Sequence, residues 1–219
     1  MARVPKHRIV AALLDRHGRT FAAEARIDLR RNTPAPLFRL LCLSLLLSAR
    51  IRADIGVGAA RALAGAGWTT PRKLADSTWA ERTKVLDESG YARYDESTSR
   101  MLGETTELLL DRYGGDLREL RETAGRDLGE EQRLLQQFTG IGRVGAAIFC
   151  REVQIVWDEV YPFADDRALA VAADLGLGSD VADLRRNTAD AAELARLVAA
   201  LVRCGLAGDQ DEILDGSAP

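Results

Sequence analysis

The chain has little of what builds metal sites and disulfide frameworks. Only three cysteines occur in 219 residues, Cys42, Cys150 and Cys204, and only two histidines, His7 and His17. The cysteines lie far apart in apolar or helix-end surroundings, a spacing that excludes zinc-ribbon and iron–sulfur motifs. They read as reduced core thiols of a cytoplasmic protein, and no metal is expected. The histidines fall in the amino-terminal segment and read as surface residues. Positive charge is not in excess either. Thirty Lys and Arg face 33 Asp and Glu, a formal net charge of -3. The molecule therefore does not advertise nucleic-acid binding, and any such function must rest on a local patch.

No apolar run is long enough to span a bilayer. The most apolar segment, "PLFRLLCLSLLLSARI", is broken by Arg39 and falls short of the ~20 residues a span needs, so it reads as a buried helix. The opening "MARVPKHRIVAALLDRHGR" is interrupted by Asp15 and Arg16 and reads as an amphipathic helix, not a signal peptide. No membrane contact is expected. Alternating strand patterns and internal repeats are also missing. With 47% hydrophobic and 29% charged residues, the composition is that of a folded globular protein. The length suits one large domain or two lobes sharing a cleft.

What is present is a 3.6-residue apolar period through nearly every segment, which predicts an all-α fold, an orthogonal bundle of short helices. "RRNTPAP" ends an amino-terminal helix and starts the buried one. Short helices follow at "RADIGVGAARALAGAG", "TPRKLAD", "TWAERTKVLDESG" and "YDESTSRMLGETTELLLDRYGG". "LGEEQRLLQQF", a glycine turn and "RVGAAIFCREVQIVW" form a helix, hairpin, helix unit over about 128–157. "DRALAVAADLGL" is a helix ended by Gly176, and "NTADAAELARLVAALVRCG" a last helix stopped by Gly205. The acidic tail "DQDEILDGSAP" is expected to fray.

Two features carry chemistry. In "TGIGRVGAAIFC", Gly140 and Gly142 open a helix whose first N–H groups and partial positive charge suit a phosphate, with Arg143 beside it. The same Gly-x-Gly also serves as a tight packing turn between two helices. About twenty-five residues on, Asp165 opens another helix. A carboxylate there can stabilise positive charge in a reacting sugar and orient water. It can equally act as an N-cap worth ~1 kcal/mol.

In these motifs the chain resembles the endonuclease III superfamily of DNA glycosylases. Those proteins carry a helix-hairpin-helix such as "LPGVGRKTA", then a Gly/Pro-rich loop and an essential aspartate in a pattern like "VDTHVFRVANRLGL". This chain has "FTGIGRVGAA" and then "ADDRALAVAADLGL". Upstream, "APLFRLLCLSLLLSAR" is similar to the family's "PFELLIAVLLSAQ", and "GYARYDESTS" to its "GLYNSKAENI" region. The resemblance runs over roughly residues 33–177. It implies two helical lobes with a cleft between them, one built from 1–32 plus 164–219 and one from 33–163, the second carrying the hairpin.

By that resemblance Asp165 is the catalytic aspartate, with Asp166 the alternative if the loop shifts by one. Gly140, Ile141, Gly142, Arg143 and Gly145 grip the DNA backbone. Arg50, in place of the family's glutamine after "LLSA", and Arg52 approach the DNA, while Tyr91, Tyr94 and Trp157 are candidates to line the base pocket. The lysine that forms a Schiff base in bifunctional members is replaced by Val144, so no strand cleavage by that route is expected. A lone Cys204 near the carboxy terminus excludes the four-cysteine cluster.

The resemblance thus implies a monofunctional DNA glycosylase of base-excision repair. Such an enzyme is a monomer that acts on damaged double-stranded DNA at the nucleoid without a cofactor. A monovalent cation at the hairpin stays open. A non-catalytic DNA-binding member of the same fold is the alternative, given Val144 and the acidic Asp95 and Glu96.

Overall fold

The computed structural model describes residues 4–216, and among these every regular element is helical. In chain order α1 (Lys6–His17), α2 (Phe21–Glu24) and a 3-10 turn (Leu29–Arg31) lead to α3 (Pro34–Ser48), α4 (Ala53–Gly65), α5 (Pro71–Ala75) and α6 (Trp79–Glu88). Then come α7 (Asp95–Tyr113), α8 (Leu117–Thr123), α9 (Leu128–Leu135) and α10 (Arg143–Val153). α11 (Asp166–Asp174), α12 (Val181–Arg185), α13 (Ala191–Ala207) and α14 (Gln210–Gly216) complete the chain.

The most apolar stretch becomes the central helix. Prolines in its first turn set the start of α3, where a missing N–H costs nothing. Leu37, Phe38, Leu40, Leu41, Leu43 and Leu46 are fully buried, each contributing about 1.5–3 kcal/mol of transfer free energy. A helix apolar on all sides must be surrounded. α3 accordingly packs against α4, α7, α8 and α10, while α5 and α6 lie on α7, and α9 on α8 and α10. A second set gathers round α13, which packs against α1, α11 and α12, with α14 on α1. α10 touches both α3 and α13, within one continuous apolar core.

Arginines tie down α2, a helix of one turn. Arg39 of α3 donates to the carbonyls of Ala25 (2.9 Å) and Arg26 (3.0 Å). Arg61 of α4 donates to the Glu24 carbonyl, and Arg203 of α13 pairs with the Glu24 carboxylate. These guanidinium groups satisfy the last carbonyls of a helix too short to do so itself.

Several elements differ from the sequence expectation. α10 ends at Val153, because Gln154 leaves the helix and turns its side chain to the following loop. α13 runs through Gly205 to Ala207 and closes at Gly208. The acidic tail is not frayed over 210–216. Ile213 is buried, and Asp209 accepts from Arg16 (2.9 Å) and contacts His17 Nε2 (2.8 Å). His17 is therefore a half-buried partner of the carboxy-terminal segment instead of a free surface residue, whereas His7 is exposed. Residues 1–3 and 217–219 lie outside the described residues. Among the described residues no helix is long and apolar enough to cross a membrane.

Candidate nucleic-acid interface and carboxylate site

The turn between α9 and α10 is anchored from below. Gly140 has a φ of +86°, where L side chains are disfavoured. A Cβ there would also lie 2.9 Å from Met101 Sδ and 3.3 Å from Leu45 Cδ1. Thr105 of α7 donates its hydroxyl to the Thr139 carbonyl at 2.8 Å. Gly145 lets α10 meet the end of α3, since a Cβ at 145 would be 2.7 Å from Ser48 Oγ. Ile141 is buried and its N–H donates to the Phe138 carbonyl. Its side chain therefore plugs the core, a correction to its expected place on the DNA.

Above that floor the start of α10 is bare. Gly142 is the N-cap, no side chain caps the helix, and nothing lies within 4 Å of where its Cβ would be. Arg143 is exposed, as is Val144 at 63%. An uncapped helix start beside an exposed cation is an arrangement that suits an anion. The Gly145–Ser48 contact brings the α3–α4 loop to the same place, and that loop holds Arg50 and Arg52. Arg50 and Arg143 are exposed and make no hydrogen bond or ion pair among the described residues. Arg52 instead makes a two-bond pair with Asp54 (3.0 and 2.6 Å).

The aromatic candidates sit elsewhere. Tyr91 is fully buried, its hydroxyl donating to the Leu46 carbonyl at 2.9 Å, and burial pushes its pKa up to about 12. Trp157 is also fully buried, edge-on to Phe149, with its indole N–H donating to Asn32. Neither offers a ring face to an extruded base, which corrects both assignments. Their positions beside loops gave no sign of which way the rings point. Tyr94 remains half-buried at the N-cap of α7, under the Arg93 guanidinium at 5.3 Å.

Asp165 is the N-cap of α11. Its Oδ1 accepts from the Ala168 N–H at 3.0 Å, and its Oδ2 accepts from Arg151 Nη1 at 2.8 Å. The Asp165 side chain is 13% exposed and that of Arg151 5%. Asp166, one residue on, is exposed and makes no hydrogen bond or ion pair among the described residues. A carboxylate oxygen has two lone pairs, so each Asp165 oxygen keeps one acceptor site beyond its present partner.

The frame behind Asp165 was not legible. Arg151 lies in the last turn of α10 and Gln154 caps its end. Gln154 accepts the Phe163 N–H (3.0 Å) and donates to the Phe163 carbonyl (3.1 Å), pinning the loop that carries Asp165. Glu152, fully enclosed, accepts the N–H groups of Phe21 (3.0 Å) and Ala22 (3.1 Å), and burial raises its pKa. A second buried carboxyl, Glu131 of α9, has neither oxygen hydrogen-bonded and lies near the Arg121–Glu159 ion pair. Burial, then the Glu159 carboxylate, push its pKa up to about 8. The only sequence signal for this set was polar residues in "FCREVQ" and "EEQ", patterns that usually mark a solvated face.

All three cysteines are buried thiols, and burial pushes each pKa up to about 12. No group of His, Cys, Asp or Glu among the described residues has the geometry of a metal site.

No family model matches the chain, and no curated protein does. Among solved structures it is similar to a trapped endonuclease III–DNA covalent intermediate, an estranged-adenine complex. Identity is 17% over 75% of this chain and 71% of that one, with a TM-score of 0.47.

Proposed function

We propose that the protein is a monofunctional DNA glycosylase, binding double-stranded DNA at the start of α10 and hydrolysing the N-glycosidic bond of a damaged base with Asp165. The supporting observation is one helix that serves both ends of the task. Arg143 opens α10, and eight residues on Arg151 holds Asp165. Eight helical residues span about 12 Å, three to four nucleotide steps of ~3.4 Å. A phosphate held by the α10 amides, Arg143 and Arg50 thus leaves a nucleotide a few steps away within reach of the carboxylate.

In the reaction the C1′–N bond breaks, its electron pair leaving with the base, and positive charge develops on the sugar. The Asp165 carboxylate stabilises that charge, and water adds at C1′ while its proton goes to the departing base, leaving an abasic site and the neutral free base. The position of the family's Schiff-base lysine carries no amine here. Val144 stands there, at the start of α10, and the lysines, Lys6, Lys73 and Lys84, belong to α1, α5 and α6. Asp166 is the alternative carboxylate, being free of partners.

A second reading, a DNA-binding protein without chemistry, is favoured by the same ion pair, since Arg151 offsets the charge that Asp165 would direct at the sugar. Incubation with duplexes carrying alkylated, oxidised or deaminated bases, followed by alkali, tests the difference. Alkali-dependent cleavage by the wild type and none by Asp165→Asn, with binding retained, supports the enzyme. Binding without cleavage of any substrate establishes the second reading, and cleavage by Asp165→Asn shifts the role to Asp166.

A further inference from the structure

The Arg151 guanidinium is held more tightly than its one ion pair requires. The residue is 4% exposed, far below the usual exposure of arginine. Its guanidinium carbon lies 5.1 Å from the centroid of the Phe21 ring, over which the Arg203 guanidinium carbon also lies, at 4.0 Å. Phe21 is itself fixed, because its N–H is accepted by Glu152, the neighbour of Arg151 on α10. Arg151 therefore reaches Asp165 from a seat made by two other helices, α2 and α13, and Gln154 holds the loop on the same side.

We propose that Arg151 is a positioning residue for Asp165, locking the carboxylate in one rotamer with one acceptor site on each oxygen left for the reacting sugar and water. This rests on the reading of Asp165 as the group that acts on DNA. A buried cation needs a partner, and Asp165 Oδ2 is its ion-pair partner, while Arg151 Nε has no hydrogen-bond partner among the described residues. The two side chains thus confine each other. Without Arg151, Asp165 keeps only the Ala168 N–H, a bond that leaves Oδ2 free to rotate toward solvent. Misplacement of a reacting group by about 1 Å can cost about 10²-fold in rate.

The test has two arms on the full chain. In the first, Arg151→Met, Asp165→Asn and the double variant are melted. Each single change leaves a buried charge alone and is expected to lower Tm by about 5–15 °C, with the double variant no lower than the worse single one. Additive losses overturn the clamp, whatever the activity. In the second, base release is measured. Arg151→Met is expected to lower kcat about 10²-fold with KM unchanged, and Arg151→Lys, which restores a cation, to recover part of it.

An unchanged kcat in Arg151→Met, beside an inactive Asp165→Asn, overturns the positioning role. Coupled melting in a protein that releases no base from any substrate supports the clamp while removing the glycosylase reading, so the two failures remain distinct.

Discussion

α10 and α11 begin in opposite ways, although they follow each other in the chain. The start of α11 is closed by its own chain, with the Asp165 carboxylate accepting the Ala168 N–H and Arg151 covering the other oxygen. The start of α10 is left open by Gly142, with an exposed Arg143 after it and no side-chain cap. Aspartate or threonine caps the starts of α5, α6, α8, α9, α12 and α13 in the closed manner. Self-capping uses up the positive end of a helix, whereas a bare end keeps it for an anion from outside. The closed end is suited to stability and fixed geometry, and the open end to binding.

Breaking the closed end carries the largest stability effect. Asp165→Ala removes the cap and strands Arg151, an expected loss of about 3–5 kcal/mol, measurable by urea unfolding. A loss below 1 kcal/mol would place Arg151 in contact with water and remove the contrast. Emptying the open end acts on binding instead. Arg143→Ala with Arg50→Ala is expected to weaken duplex DNA binding about tenfold and flatten the slope of log K against log salt by about two. Arg52→Ala, which frees Asp54, should change it less. Equal effects from Arg52 and Arg143 would move the interface.

The carboxy-terminal half of α10 lies beside a pH-sensitive group. Glu131 faces Arg121 of α8, Glu159 of the loop after α10, Cys150 of α10 and the Asp127 cap of its own helix. Its folded pKa is raised from 4.5 to about 8, so the folded state keeps a proton that the unfolded chain releases. That contribution is fully present below about 4.5 and is lost as pH rises through about 8. Glu131→Gln should flatten the fall of Tm between pH 5 and 9 and leave the variant the more stable form at pH 9, by thermal melts. Parallel curves for the two proteins would show Glu131 to be ordinary. The smallest effect is expected from filling the open end. Gly142→Asp gives α10 a self-cap like that of α11, a gain of only a few tenths of a kcal/mol, and a several-fold loss of DNA affinity from the added negative charge. Unchanged affinity would mean that the α10 amides do not face DNA.

Much of this contrast was readable from residues. Gly140 and Gly142 marked the turn, Asp165 marked a helix start, and the periodicity of "PLFRLLCLSLLL" placed α3 at the centre, because backbone needs and apolar spacing are local properties. The partners of Asp165 were not readable. Arg151 and Glu152 occupy helix positions where charge normally means solvent, and only the tertiary approach of Phe21 encloses them. Tyr91 and Trp157 failed for the converse reason: proximity to a loop does not tell which side of the chain a ring occupies. α14 was missed because its acidic composition hides Ile213 and Leu214, which pack it against the core.

The arginines that fasten α2 have a kinetic consequence. Arg39, Arg61 and Arg203 are directed at main-chain carbonyls and Glu24, so part of the cationic inventory is engaged within the fold. With a net charge of -3, long-range attraction toward a polyanion is weak, and encounters with DNA should proceed at unsteered rates, about 10⁵–10⁷ M⁻¹s⁻¹. If the protein binds DNA as proposed, it would reach it by many short collisions rather than by being drawn to it.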